Sequence, residues 1–488
     1  MGAPYRVRRI LEAKSERGSV MHRRCFLRSL AAVPAAGLIH LPLLSPWGAF
    51  AQGRGMPPSE PFKPTDDANS PVGTGKGIFP GRVVWVRDAS ATSWDGTTGR
   101  WWDGANTDQK AVTGLASRMV QRLTGQKNDK QAWDALFRNF NETRKLGGSG
   151  YRPGERIAIK INGNQDRSPE WGVAAPGRAG GPPAGGPGGR APRPPQNGLP
   201  SPQAVVALVT ELIEGAGVRG ADIMIYDVTN TRNIGPPIYN GIRANSGREF
   251  QAVKFLVGAD YDLGGRMSPT PDTANPIHFA KGDLPAGYLP REVTEAKYMI
   301  NMALLRPHGM AGITLTAKNH FGSVHFPNDG GWSPKILHNA VLRTQAVGSY
   351  NALVDLVGHR QLGGKTMLYI LDGLYTATDN EGSVFKWASF NDQWAASMLV
   401  SQDPVAIDSV GLDVLRGEPR ATQVRGSADN YLHEAAQAAK PPSGVVYNPD
   451  GSGKLASLGV HEHWNNPTAR KYSRNLGAKE GIELIAEV

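Results

Sequence analysis

The chain has 488 residues, 40% hydrophobic and 20% charged, enough to bury the core of one large domain or two smaller ones. The formal charge of +11 is misleading: the first 51 residues hold eight Lys/Arg against two Asp/Glu, and no later run is densely basic with interleaved aromatics, which argues against a nucleic-acid partner. The single cysteine, Cys25, lies in that leader, so the remaining chain can form no disulfide and no cysteine-ligated iron–sulfur cluster.

The leader reads as an address. Arg23 and Arg24 are followed by Phe26, Leu27 and Arg28, close to the twin-arginine pattern. An apolar stretch from Leu30 to Leu44 is too short to span a bilayer and is interrupted by Pro34 and Pro42. Ala49-Phe50-Ala51 places small residues at the cleavage positions, so residues 1–51 are expected to be a signal peptide removed after Ala51. Residues 1–20 are long and charged for a leader, which makes Met21 an alternative start. The expected partner is the twin-arginine translocase and the expected location periplasmic, with no membrane span in the mature chain. Such substrates cross folded, often with a cofactor already inserted.

Residues 52–80 are rich in Pro, Gly and Ser and read as a flexible lead-in. Residues 81–488 then alternate strand and helix signals. Strands are expected at Val83–Val86, Ile157–Ile161, Ile223–Tyr226, Tyr298–Met302 and Met367–Leu371. Helices are expected over 107–124, 129–145, from Ser201-Pro202 to about Gly215, between 334 and 357, and over 404–416. Residues 171–200, almost all Gly, Pro, Ala and Arg, cannot supply a core and read as a surface insertion. Residues 232–295 give no clear elements. The fold class is therefore α/β: a mixed or mostly parallel sheet covered by helices, one large mature domain with long loops.

Polar residues at strand ends supply the chemistry. Lys160 and Asn162 share a face beyond an apolar run, where an open α/β sheet binds ligands; a Lys paired with a nearby carboxylate is the plainer alternative. Asp227 closes the next strand and could ligate a metal, orient a base or cap a turn. His308, Lys318, Asn319, His320 and His325 crowd into eighteen residues. If Gly312–Gly322 is helical, Thr314 and Lys318 share one face and Thr316 and His320 another. Lys318 and His320 can then converge only if the helix ends near Lys318. Asp408 falls on the apolar stripe of a buried helix and needs a partner, for which Lys160, Lys318 and Arg306 are candidates. Asp403-Pro404 reads as a helix cap. His461-Glu462-His463, if extended, puts two imidazoles on one face at a metal-chelating spacing, although this polar stretch also reads as a loop. No GxSxG elbow, Walker loop or HExxH motif is present.

MINMALLRPHGMAGITLTAKNHFGSV (299–324) resembles the signature segment of the DUF362 family. Segments 157–164, 223–230, 369–375 and 401–415 agree in order, so the resemblance spans roughly residues 82–465. Relatives often carry Lys where this chain has Arg306, and many carry ferredoxin-like cysteine motifs that are absent here. The resemblance implies a fold and candidate site residues more than a reaction.

Two functional classes follow. One is an enzyme or ligand-binding protein with catalytic Lys160, His308, Lys318 and His320, and ligand-binding Asn162, Asp227, Asn319 and Asp408. It would act on a small polar or anionic ligand, with a divalent metal on His308, His320 or Asp227 as one option. The other is a non-catalytic accessory protein of an exported redox or maturation system. Replacing Arg23 and Arg24 by Lys is expected to abolish export in a fractionation assay, and unchanged export would refute the address.

Overall fold

The computed structural model describes residues 66–163, 199–229, 234–258, 265–328, 330–341, 346–380, 382–422, 424 and 427–488. The leader, residues 52–65 of the lead-in, and all but the last two residues of the Gly/Pro insertion lie outside these. Eight strands form the main sheet: β1 (Arg82–Arg87), β2 (Ile157–Lys160), β3 (Ile223–Asp227), β4 (Lys254–Val257), β5 (Tyr298–Leu304), β6 (Thr366–Gly373), β7 (Ser397–Ser401) and β8 (Glu483–Glu487). Their spatial order is β8-β1-β7-β6-β5-β2-β3-β4. Only β7 runs antiparallel to its neighbours, so the carboxyl ends of the other seven lie along one edge.

The central strands read as unbroken apolar runs because both faces are covered. Helices α1 (Gln109–Thr124), α2 (Asp129–Thr143) and α3 (Pro202–Thr210) pack on one face with Val84, Ile157, Ile159, Ile225 and Ile300. Helices α4 (Thr316–Asn319), α5 (Ala352–Gly358), α6 (Pro404–Arg416) and α7 (Ser427–Ala436) accompany the other face, with Val83, Ala158, Met224, Met299 and Leu371. Strand alternation decides which polar residue faces which layer. Lys160 shares parity with Ala158, and is paired in register with Tyr226 on β3 and Asn301 on β5. The chain builds β2-β3-β4 outward in one direction and β5-β6-β7 in the other. The order therefore reverses between β2 and β5, where an open α/β sheet leaves a crevice.

The expected α/β class is observed, and no helix among the described residues is long and apolar enough to cross a membrane. Three strands escaped the sequence reading. β4 lies in the stretch without clear signals, which also holds a helix at Pro236–Ala244 and a ribbon pairing Pro271–Ile277 with Gly287–Pro290. β7 and β8 are five-residue runs, too short for periodicity to classify. The described end of the lead-in, residues 66–80, is docked rather than loose: Val72–Gly73 pairs with Val460–His461, and the Lys76 N–H donates to Asp403 Oδ2 at 2.9 Å.

Asp403 does more than cap α6. Its Oδ1 accepts from the N–H groups of Val405 and Ala406 at 3.0 and 2.9 Å, while Oδ2 accepts from Lys76 and, at 3.2 Å, Val460. Asp403→Ala should therefore cost more than an ordinary cap, at least about 2 kcal/mol in urea unfolding. A loss no larger than about 0.5 kcal/mol would show that the tethers to Lys76 and Val460 contribute nothing.

Candidate functional site

A cleft opens at the carboxyl ends of β2, β3 and β5. Its floor is an ion pair: Lys160 Nζ lies 3.2 Å from Asp227 Oδ2, with both side chains buried. The ammonium also donates to Ile161 O and, at 3.2 Å, to Asn319 Oδ1. Asp227 accepts in addition from the N–H groups of Gly163 (2.8 Å) and Thr229 (2.9 Å), the turns that follow β2 and β3. Both nitrogen and carboxylate thus keep the several partners that a buried charge needs.

Asn319 passes this network on. Its Nδ2 donates to Asn301 Oδ1 at 2.8 Å, and Asn301 Nδ2 lies 2.8 Å from Thr316 O and 3.1 Å from His320 Nε2. Short helix α4 is thereby tied to β5 from below. Asp408 on α6 holds its start, Oδ1 accepting from Thr316 N–H (2.9 Å) and Oγ1–H (2.7 Å), and Oδ2 from Ala317 N–H (3.1 Å) and Tyr431 O–H (3.2 Å).

The wall above the floor is made of donors. Arg306–His308 forms a ribbon with Gly312–Thr314, in register so that Arg306 and His308 point the same way into the cleft. His308 Nδ1 accepts from the N–H groups of Met310 (3.0 Å) and Ala311 (3.2 Å). Burial, with Lys318, His338 and Arg306 nearby, holds this imidazole far below its ordinary range, so it is neutral and carries its proton on Nε2. Lys318 Nζ lies 3.7 Å from the centre of the Phe321 ring and 3.3 Å from His338 Nε2. His338 Nδ1 donates to Pro334 O at 3.0 Å, which leaves Nε2 as the acceptor. Burial, then Arg306, then Lys160 push the Lys318 ammonium down to about 7. The cleft encloses about 100 Å³, room for an anionic head group rather than a large ligand. A larger surface groove of about 530 Å³ has Arg100 as its one charged side chain and none of this chemistry.

Of the eight residues singled out in the sequence, Asn162, Asp227, His308, Lys318 and Asn319 line the cleft. Lys160 lies directly beneath, paired with Asp227. His320 and Asp408 do not reach it. His320 is fully buried against Asn301, because the helix starts only at Thr316 and a 3-10 turn over His320–Ser323 carries the imidazole below Lys318. Asp408 meets none of the cations proposed for it and instead caps the start of α4. The candidate metal ligands His308, His320 and Asp227 do not converge among the described residues: His308 is held by backbone donors, His320 by Asn301 and Asp227 by Lys160. His338 and Asn380 also line the cleft and went unnoticed. His338 sits in an isolated turn with no motif around it, whereas Arg306 was visible from its place beside His308.

Fold and site together define an open α/β protein with a cationic cleft at the reversal point of its sheet. Residues 191–413 match the family model described as "Domain of unknown function (DUF362)", which supports the family resemblance and spans β3, β5, the ribbon, α4 and most of α6. No curated protein matches the chain.

Gly322 closes the floor: a Cβ there would lie 2.6 Å from Asp227 Oδ1 and 2.8 Å from Lys160 Nζ. Gly322→Ala should lose about 1–3 kcal/mol in urea unfolding as the ion pair is forced apart. An unchanged midpoint would mean that the floor yields freely.

Proposed function

We propose that the cleft binds the anionic group of a small polar substrate and that Lys318 is the acid–base group of an enzyme acting on it. The observation that carries this reading is the surroundings of Lys318. The buried ammonium has a neutral imidazole and an aromatic face as partners, and no carboxylate among the described residues pairs with it. A buried cation in that position is stabilised by an incoming anion. Arg306 and the Nε2–H of His308 point into the same space and supply further donors, and charge-assisted bonds of this kind are the strong ones. Asp227, neutralised by Lys160, adds little repulsion. A lysine that titrates near neutrality can hold or release a proton at Nζ, as proton transfer requires. Export through Arg23 and Arg24 would place this chemistry in the periplasm.

Titration calorimetry of the purified protein with inorganic phosphate, sulfate and acetate tests the reading. At least one should bind, and Lys318→Met should weaken it tenfold or more. Because the free-state pKa of Lys318 is about 7 and the anion favours the ammonium, affinity should be level below pH 7. Above that it should fall by about tenfold per pH unit until the pKa of the bound state is reached. Equal binding by the Met variant, or no binding by the parent protein, would overturn it.

A further inference from the structure

A second cluster of ionisable side chains lies away from the cleft, built from the segment that precedes β1, from α6 and α7, and from the segment that precedes β8. His461 ends the short strand Val460–His461, and His463 follows two residues later. Alternation then puts His461 and His463 on one side and Glu462 on the other, where Glu462 accepts from the backbone of Ser473 and Ile482. The two imidazoles lie at right angles with centroids 4.9 Å apart, and both are buried.

Their outer nitrogens are held by α6. Ser409 and Asp413, one turn apart, share a face of that helix. Ser409 Oγ donates its proton to Val405 O at 2.7 Å, so at 2.8 Å it can only accept from His461 Nδ1. His463 Nδ1 donates to Asp413 Oδ1 at 2.7 Å; the other oxygen of that carboxylate accepts from the Trp464 N–H and the Tyr472 hydroxyl. The His461 ring is thereby fixed with the proton on Nδ1 and the lone pair on Nε2; a metal ion at His463 Nε2 would take the place of the proton that faces Asp429. His461 Nε2 is buried with no hydrogen-bond partner, whereas His463 Nε2 lies 3.4 Å from Asp429 Oδ1, which Arg416 also holds. His461 Nε2 lies 3.7 Å from Asp66 Oδ2, and Asp66 is oriented by His433 Nε2 at 2.7 Å. One ligand atom each from Asp66, His461 and His463 lie within 4.8 Å of one another.

We propose that Asp66, His461 and His463 bind a divalent first-row transition ion, with Ser409, Asp413 and His433 as positioning residues. Two imidazoles and one carboxylate, with no thiolate, suit Zn2+, Fe2+ or Mn2+. Bonds of about 2.1 Å to one ion require only a small inward movement of the side chains. A carboxylate or hydroxyl behind each ligating imidazole is the outer support that such sites use to fix the ring. All three ligands, Asp66, His461 and His463, and the positioning residue His433 lie outside the stretch that matches the family model. The ion would join the segment that leads into the domain to the segment that closes it, reinforcing the pairing of Val72–Gly73 with Val460–His461.

The test uses the full mature chain, purified without a polyhistidine tag, stripped with a chelator and titrated with Zn2+ and with Co2+ as a visible probe. One ion per chain is expected, with a Co2+ absorption band and a melting temperature raised by at least about 2 °C. His461→Ala and His463→Ala should each lower affinity at least 100-fold, and Asp413→Ala by about 10- to 100-fold. Asp66→Asn, on a less buried residue, serves if the histidine variants fail to fold, and should lose affinity at least tenfold. Lys318→Met should bind the ion as the parent does. No stoichiometric ion on the parent protein, which would leave His463 as the charged partner of Asp413 and Asp429, overturns the proposal. So does undiminished binding by folded Asp66→Asn.

Discussion

The buried pair of Lys160 and Asp227 is the constraint on which the cleft depends. An ammonium removed from water on a strand between two others must find its partners at the strand end, because the neighbouring backbone groups are already engaged in the sheet ladder. It finds a carboxylate from β3, a carbonyl from its own strand and an amide oxygen from α4. Those partners come from three chain segments, so satisfying one charge fixes their relative positions. Asn319 is committed to Lys160 and Asn301, and its neighbour Lys318 is consequently committed to the cleft. The pair adds little stability by itself, since desolvation offsets most of the attraction. What it supplies is position.

Helix α6 plays the corresponding role on the far side. It is buried almost all round, so each of its polar residues must be satisfied by a different segment. Asp403 takes the lead-in and the strand at Val460; Asp408 takes the start of α4; Ser409 and Asp413 take the two imidazoles of the C-terminal segment. One helix thus sets both the upper position of Lys318 and the ring orientation of His461 and His463. Its carboxylates at 403 and 408 are pushed up to about 6, burial outweighing the hydrogen bonds each accepts. Both groups are more easily protonated when folded, so ionising them as pH rises from about 4 through about 6 works against stability.

Much of this was legible in sequence for a physical reason. Runs such as Ile157–Ile161 and Ile223–Tyr226 are apolar on both faces, which only a covered parallel sheet demands, and Lys160 and Asp227 stand out as the charges at their ends. Five of the residues singled out there line the cleft. Where the reading failed, the deciding information was tertiary. The faces of Gly312–Gly322 were weighed as those of one helix, but the ribbon with Arg306–His308 claims the first three residues, and the helix that remains is one turn long. His320 is turned beneath the site by that shortening. Asp408 called for a partner in a low-dielectric core, and cations were the obvious candidates; the donors it meets are backbone and hydroxyl groups that no side-chain inventory would reveal. Strands β7 and β8 owe their pairing to β1, three hundred residues or more away in sequence.

The imidazoles show how the same residue type is assigned opposite uses by its neighbours. His308 has Nδ1 occupied by backbone donors, so its remaining nitrogen bears a proton and faces the cleft as a donor. His338 has Nδ1 donating to Pro334 O, so its remaining nitrogen offers a lone pair to Lys318. His461 is arranged like His338, with Nδ1 donating and Nε2 bare, but it faces Asp66 instead of an ammonium, while His463 is buried between Asp413 and Asp429, whose carboxylates outweigh that burial and raise it to about 9. The lone pair of His338 is directed at a cation already in the chain and stabilises Lys318; the lone pair of His461 is directed towards the Asp66 carboxylate and repels it unless a proton or a metal ion lies between them. The first arrangement leaves Lys318 with no carboxylate partner among the described residues, and the second gathers three carboxylates, Asp66, Asp413 and Asp429, around two imidazoles and Arg416. An anion at the first and a divalent ion at the second are the additions we propose for each.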